Sequence, residues 1–187
     1  MGKVDFKPGN MLYPLPAVMV SVSDGKGKDN ILTVAWVGTV CSDPAMVSIS
    51  VRKSRYSYDW IIKTGEFVIN LTTEELAWAT DYCGVVSGRD VNKWEKCGLH
   101  KIPGTVVNVP YIEESPVAIE CKVRSITELG THDMFLAEIV AVHADDRYMD
   151  EKGTFHLEKA HPLVYSHGRY YSMGEELGKF GYSIKKQ

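Results

Sequence analysis

Hydroxyls and cations crowd one stretch of this sequence: Ser48, Ser50, Arg52, Lys53, Ser54, Arg55 and Ser57. Period-two alternation across Met46 to Arg52 puts Val47, Ile49 and Val51 on one face of a strand and Ser48, Ser50 and Arg52 on the other. The polar face runs into Lys53-Ser54-Arg55-Tyr56-Ser57, where a helix is expected to begin near Ser54. Free backbone N–H groups and the positive end of a helix dipole favour an anion there. Together these groups could cradle a phosphate. An exposed strand face followed by a serine cap would use the same residues with no ligand.

Three other stretches could complete a site. In the run from Asn30 to Thr39, the small residues Thr33 and Ala35 share one strand face, so a flat ring could lie against it. Backbone groups of the segment that includes Val34 and Trp36 would then address the ring edge while apolar neighbours cover its face. A well-packed barrel strand with Trp36 in the core is the alternative. Between Cys83 and Lys93, either Arg89 or Lys93 could bring a second cation to an anion, or both could be solvated helix charges. Gly130-Thr131-His132-Asp133 reads as a tight turn between long strands, with His132 either a turn residue or a ligand contact. No Ser/His/Asp order or carboxylate pair stands out, and hydride chemistry needs none, because a cofactor carries that reaction.

Several classes are excluded. The chain lacks both G-x-G-x-x-G and G-x-x-x-x-G-K-[ST], so any nucleotide must be held another way. Cys41, Cys83, Cys97 and Cys121 form no C-x-x-C pair and read as reduced, mostly buried thiols. His143, His156, His161 and His167 lack H-E-x-x-H spacing, so no metal is expected. A net charge of −3 with dispersed Lys and Arg offers no face for nucleic acid. No stretch approaches the roughly 20 apolar residues of a membrane span, and Met1 to Phe6 does not resemble a secretory signal. A soluble, cytoplasmic protein is expected.

Strands must position these residues. Apolar or alternating segments cover Ala17 to Val22, Ile31 to Val40, Met46 to Val51, Phe67 to Leu71, Val117 to Ile126 and Met134 to His143. Ser23 to Asn30 has the chemistry of a turn joining the first two. Three short helices are expected. One starts near Ser54 and ends at Gly65; one is opened by a Thr72/Glu75 capping box and closed at Gly84; one starts after Ser87-Gly88, with Asp90 in its first turn, and ends at Gly98. Ile102 to Tyr111 reads as an irregular connection. At 187 residues, with no linker or repeat, the chain is expected to form one domain over residues 1–187. The pattern favours an antiparallel barrel with helical insertions over a doubly wound fold.

The ordered stretches Tyr13-Pro14-Leu15-Pro16-Ala17-Val18, Asn30 to Trp36, Cys41-Ser42-Asp43-Pro44, Ser48 to Arg55, Gly65 to Leu71, Ser87 to Lys93, Glu120-Cys121-Lys122-Val123 and Gly130 to Asp133 together resemble the flavin reductase-like family of FMN-binding split barrels, in particular its flavoredoxin branch. Nearly the whole chain takes part. The resemblance implies a mainly β fold: a six-stranded antiparallel split β-barrel with Greek-key connections and short helical insertions. It further implies a homodimer with FMN near the subunit interface. The segment Asn30, Thr33, Val34, Ala35 and Trp36 would line the isoalloxazine. Ser48, Ser50, Arg52, Ser54, Arg55 and Ser57 would hold the ribityl chain and phosphate, and Lys93 would be a further contact. His132 would lie on the exposed flavin face, where a nicotinamide could stack. Asn92 and Trp94 depart from the family pattern, in which an acid and Phe are commoner. The implied activity is transfer of hydride or electrons from NADH or NADPH through FMN to an acceptor. The competing readings are an FMN carrier reduced by a redox partner protein, and a barrel that binds haem or another ligand without turnover. The aromatic stretch Tyr165 to Tyr171 could close over the site or be an anchored tail.

Overall fold

The computed structural model describes residues 1–184. In its first half it contains β1 (Leu15–Pro16), β2 (Val18–Ser23), β3 (Asp29–Val34), β4 (Val37–Ser42), β5 (Ala45–Val51), α1 (Tyr58–Thr64), β6 (Glu66–Leu71), α2 (Ala77–Val85) and α3 (Lys93–Cys97). There follow β7 (Lys101–Ile102), β8 (Tyr111–Ile112), β9 (Val117–Glu128), β10 (Asp133–Ala144), β11 (Leu163–Ser166) and β12 (Arg169–Ser172). No helix among the described residues is long and apolar enough to cross a membrane.

Seven strands form one sheet in the order β3-β2-β6-β9-β10-β5-β4, with every neighbouring pair antiparallel. β3 and β4 stand at opposite ends of that order, yet only Ala35 and Trp36 separate them in the chain. A two-residue link can join opposite edges only if the sheet curls round until they meet, so the sheet is a barrel with its seam at Ala35-Trp36. The Ser50 N–H donates to the Trp36 carbonyl at 2.9 Å, carrying the β4–β5 pairing into this link. The expected single strand from Ile31 to Val40 is therefore two strands, and the barrel sheet has seven strands rather than six.

Alternation fills the barrel. Val18, Val20, Val22, Leu32, Val34, Val47, Ile49, Val51, Phe67, Ile69, Phe135 and Ala137 meet inside it, with Ile61 of α1 against them. On the other face of β2 and β3, Met19 and Ile31 pack with Leu76, which caps α2, with Ala79 and Cys83 of α2 and with Trp94 of α3. β2 is consequently buried along its whole length. Strands covered on both faces lose the polar alternation of a one-sided sheet.

The helices start later than their sequence signals. α1 begins at Tyr58, and residues 53–57 form turns in which Arg55 N donates to the Arg52 carbonyl and Tyr58 N to the Arg55 carbonyl, both at 3.0 Å. The Thr72/Glu75 capping box does not form, because the Thr72 hydroxyl donates instead to the Ala17 carbonyl at 2.5 Å. Gly84 lies within α2, not past its end; a Cβ there would approach Thr33 Cβ to 3.1 Å, so the glycine lets α2 lie close on β3. α3 starts at Lys93 with Asn92 as its cap, its side chain accepting from Trp94 N, and Asp90 falls in the preceding turn. Gly65 and Gly98 end their helices in the left-handed conformation, as expected.

β11 and β12 form a hairpin that pairs with β1 in a separate three-stranded sheet. His167 and Gly168 occupy its two-residue turn, both with positive φ (48° and 76°), as a tight hairpin turn of this length requires. The hairpin is tied to α2 by Tyr170 Oη donating to Asp81 at 3.2 Å, and to the segment before α2 by Ser172 Oγ donating to Glu74.

Candidate functional site

The barrel seam opens onto a cavity of about 600 Å³. Leu32, Thr33, Val34, Ala35 and Trp36 line one wall, Ser50, Val51, Arg52 and Arg55 another, and Thr131, His132, Tyr165, Gly168, Tyr170 and residues of α2 contribute further lining. A second chamber of about 410 Å³ shares Leu32, Arg52, Arg55 and Val85 with it. Beyond those shared residues it is lined by Asn30, Ser54, Ser57, Ser87, Gly88, Arg89 and Lys93, among others.

Each wall has a local cause. The break at Ala35 turns β3 away from its partner, leaving Thr33 and Ala35 facing the cavity beside α2, where the Thr33 hydroxyl donates to the Thr80 carbonyl. Trp36 is half-buried, not core, and its ring lies nearly parallel to that of His132, 12° apart in plane with centroids at 6.4 Å. His132 is carried by the β9–β10 turn, which Leu129 N closes by donating to the His132 carbonyl at 3.0 Å. At the base of that turn the buried Asp133 accepts from Tyr58 Oη at 2.5 Å, fixing α1 to β10. Partial burial, and then the charges of Arg52 and Arg55, push the His132 pKa down, so the ring is neutral at pH 7.

The second chamber is cationic. Arg52, Arg55, Arg89 and Lys93 line it, and no carboxylate does among the described residues. Arg55 donates to the Gly84 carbonyl at 2.8 Å, and Arg89 lies over the Tyr56 ring, 5.1 Å from its centroid. Lys93 is 3% exposed, and its Nζ donates to the Ile31 and Cys83 carbonyls, each at 2.7 Å. An ammonium has three donors, so one remains for the chamber. Desolvation pushes the Lys93 pKa down. Buried Asn30 donates to Ser57 Oγ at 2.8 Å, tying β3 to the start of α1.

The structure thus gathers Asn30, Thr33, Val34, Ala35, Trp36, Ser50, Arg52, Ser54, Arg55, Ser57, Lys93 and His132 around two joined chambers. Ser48 shares the face of Ser50 but stands opposite Gly38 and Leu136, away from both. The expected helix-terminus cradle is replaced by side chains, because α1 starts only after Ser57. Sequence reasoning missed Asp81, which has no motif, and assigned Gly88 only to a helix start. Tyr165 and Tyr170, left open between lid and tail, form part of the wall.

Comparison with known proteins matches residues 11–174 to the flavin reductase like domain. Flavoredoxin of Desulfovibrio vulgaris (Miyazaki F) superimposes with a TM-score of 0.91 at 32% identity, over 98% of this chain and 100% of that one. Flavoredoxin from Methanosarcina acetivorans gives 0.90 at 28% identity, over 99% and 98%. An uncharacterized protein of Archaeoglobus fulgidus is 34% identical over 141 residues, 75% of this chain and 78% of that protein.

Proposed function

The chain belongs to the flavin reductase-like family, and from that premise we propose that it holds FMN across the two joined chambers and passes hydride or electrons from NADH or NADPH through it to an acceptor. The observation that carries this reading is the pairing of a chamber lined by four cations and no carboxylate with a cavity walled by Trp36, His132 and the Ala35 seam. The first suits a phosphate and the second a flat heteroaromatic. Bound FMN would supply the two-electron chemistry.

The protein's own residues bind and orient. Arg55, Arg89, Ser54 and Ser57 would take the phosphate end, with Lys93 offering its remaining donor from a position fixed by two carbonyls. A residue held in this way loses little freedom on binding. The seam backbone and Thr33 would address the ring edge. Trp36 and neutral His132 would leave a face on which a nicotinamide can stack without charge repulsion. No protein acid or base is required.

The arms support partner association. Val4, Phe6, Met11 and Leu12 before β1, and Leu177, Phe180 and Ile184 after β12, are all more than half exposed. Unpartnered apolar segments of this extent suit a homodimer.

The decisive experiment is the visible spectrum of the purified protein before and after anaerobic NADH or NADPH. Twin flavin bands that bleach promptly are the expected result; bands that persist until a redox partner is added would make the protein a carrier. A colourless protein that takes up no added FMN would sink the reading. Lys93→Met is expected to raise the FMN Kd about ten- to a hundredfold, since a hydrogen bond to a charged group contributes about 1.5–3 kcal/mol. Fluorescence titration of FMN into the variant checks this, and an unchanged Kd removes Lys93 from the site.

A further inference from the structure

Two of the four thiols face each other. Cys83, in the last turn of α2, and Cys97, the last residue of α3, have their Sγ atoms 3.9 Å apart. The other two thiols meet only backbone carbonyls, Cys41 that of Asp43 and Cys121 that of Ile119. Cys83 is buried and lines the cationic chamber, while Cys97 is half-buried and so within reach of a small solute. The segment between them contains Ser87, Gly88, Arg89 and Lys93, which together form one wall of that chamber. Lys93 in turn is bonded to the Cys83 carbonyl.

We propose that Cys83 and Cys97 are a reversible redox pair whose disulfide staples this wall and slows release of the ligand held there; the ligand effect rests on the FMN reading, whereas formation of the crosslink does not. The oxidant is a hydroperoxide, such as hydrogen peroxide. The Cys97 thiolate attacks one peroxide oxygen, the O–O bond breaks and water leaves, giving a sulfenic acid on Cys97. The Cys83 sulfur then displaces the hydroxyl from that sulfenic acid, and a second water leaves as the S–S bond forms. Two thiols lose two electrons and two protons, and one peroxide becomes two waters. Closing the bond brings the sulfurs from 3.9 Å to about 2.05 Å. Burial raises both thiol pKa values, that of Cys83 to about 12, so thiolate is scarce at neutral pH and the attack on peroxide is slow.

The crosslink would tie the wall in its ligand-holding arrangement. Protein treated with hydrogen peroxide, alkylated and digested is expected to yield a Cys83–Cys97 linked peptide that dithiothreitol removes, with two of the four thiols lost to Ellman's reagent. The thermal midpoint of the protein without added flavin should rise by roughly 5 °C or more. FMN release from loaded protein, followed by recovery of free-flavin fluorescence, should slow about tenfold. Cys97→Ser should abolish all three effects and Cys41→Ser none. Peroxide that leaves four thiols, or that converts Cys97 to sulfinic acid without a linked peptide, overturns the pair. A linked peptide with unchanged FMN release overturns the staple. If the protein takes up no FMN, the linked peptide and the thermal midpoint still decide whether the pair forms.

Discussion

Gly88→Ala is expected to cost about 2–4 kcal/mol of stability and to raise the FMN Kd by a hundredfold or more. A Cβ at this position would stand 2.2 Å from Asn30 Oδ1 and 2.5 Å from its Cγ. Neither side can yield cheaply. Asn30 is 4% exposed and its amide donates to the buried Ser57 hydroxyl, so moving it leaves a polar atom unpaired in the interior. Overpacking costs about 1–3 kcal/mol and an orphaned buried donor about 1–3 more, part of which relaxation recovers. The alternative relief, an outward shift of residues 87–89, moves Ser87 and Arg89 off the chamber they line. Either route damages the cationic wall. Urea denaturation and FMN titration check the two effects separately, and a variant with wild-type affinity would show that this close approach does not shape the site.

That contact also shows where the sequence stops being readable. The polar stripe of β5 follows from period two alone, and Ser50 and Arg52 fall where that period puts them. Gly88 and Asn30 are far apart in the chain, and no local pattern signals that one fills the space the other leaves. Lys93 is similar. In sequence it is one cation among several on a short polar helix, and only the packing of α2 and α3 on β3 buries it against two carbonyls. Ser48 errs in the other direction: alternation gives the correct face, but a strand face is longer than the cavity it borders.

The fold was legible where one apolar segment stays within one strand. Five of the expected strands appear within a few residues of their apolar segments, because each sends alternate side chains into the barrel. The sixth, Ile31 to Val40, is continuous in hydropathy and broken in space, since the chain changes from one sheet edge to the other at Ala35-Trp36 without any Gly or Pro to mark it. The β11–β12 hairpin lacks the usual turn pair, using His167 ahead of Gly168, and a histidine at φ 48° is not something residue type announces. Hence the site's outer wall was the part least visible beforehand.

Glu120→Gln should be the most destabilising single-atom exchange in the protein, by about 3–5 kcal/mol at pH 7. The side chain is fully buried on β9. One carboxylate oxygen accepts from Thr105 N at 2.6 Å, Thr105 Oγ1 at 2.9 Å and His143 Nε2 at 2.6 Å; the other accepts from Val106 N at 2.7 Å and Val107 N at 2.8 Å. An amide would turn one of these oxygens into a donor pointing at donors, leaving buried N–H groups unsatisfied and the irregular segment Ile102 to Tyr111 unpinned from the barrel. Desolvation alone would push the Glu120 pKa up, but the Thr105, Val107 and Val106 N–H groups and His143 outweigh it and hold it at about 2, below the ordinary 4.5. A depressed carboxyl pKa means that the unfolded chain binds the proton first as pH falls. The contribution, on the order of 3 kcal/mol, is therefore complete above pH 4.5 and is lost as pH falls from there through about 2. Urea midpoints between pH 7 and pH 2 should fall steeply through that window in the wild type, and less steeply in Glu120→Gln, which has no proton to gain there. Equal midpoints for the two proteins at pH 7 would mean that the loop finds other partners and that the buried carboxylate is not what holds it.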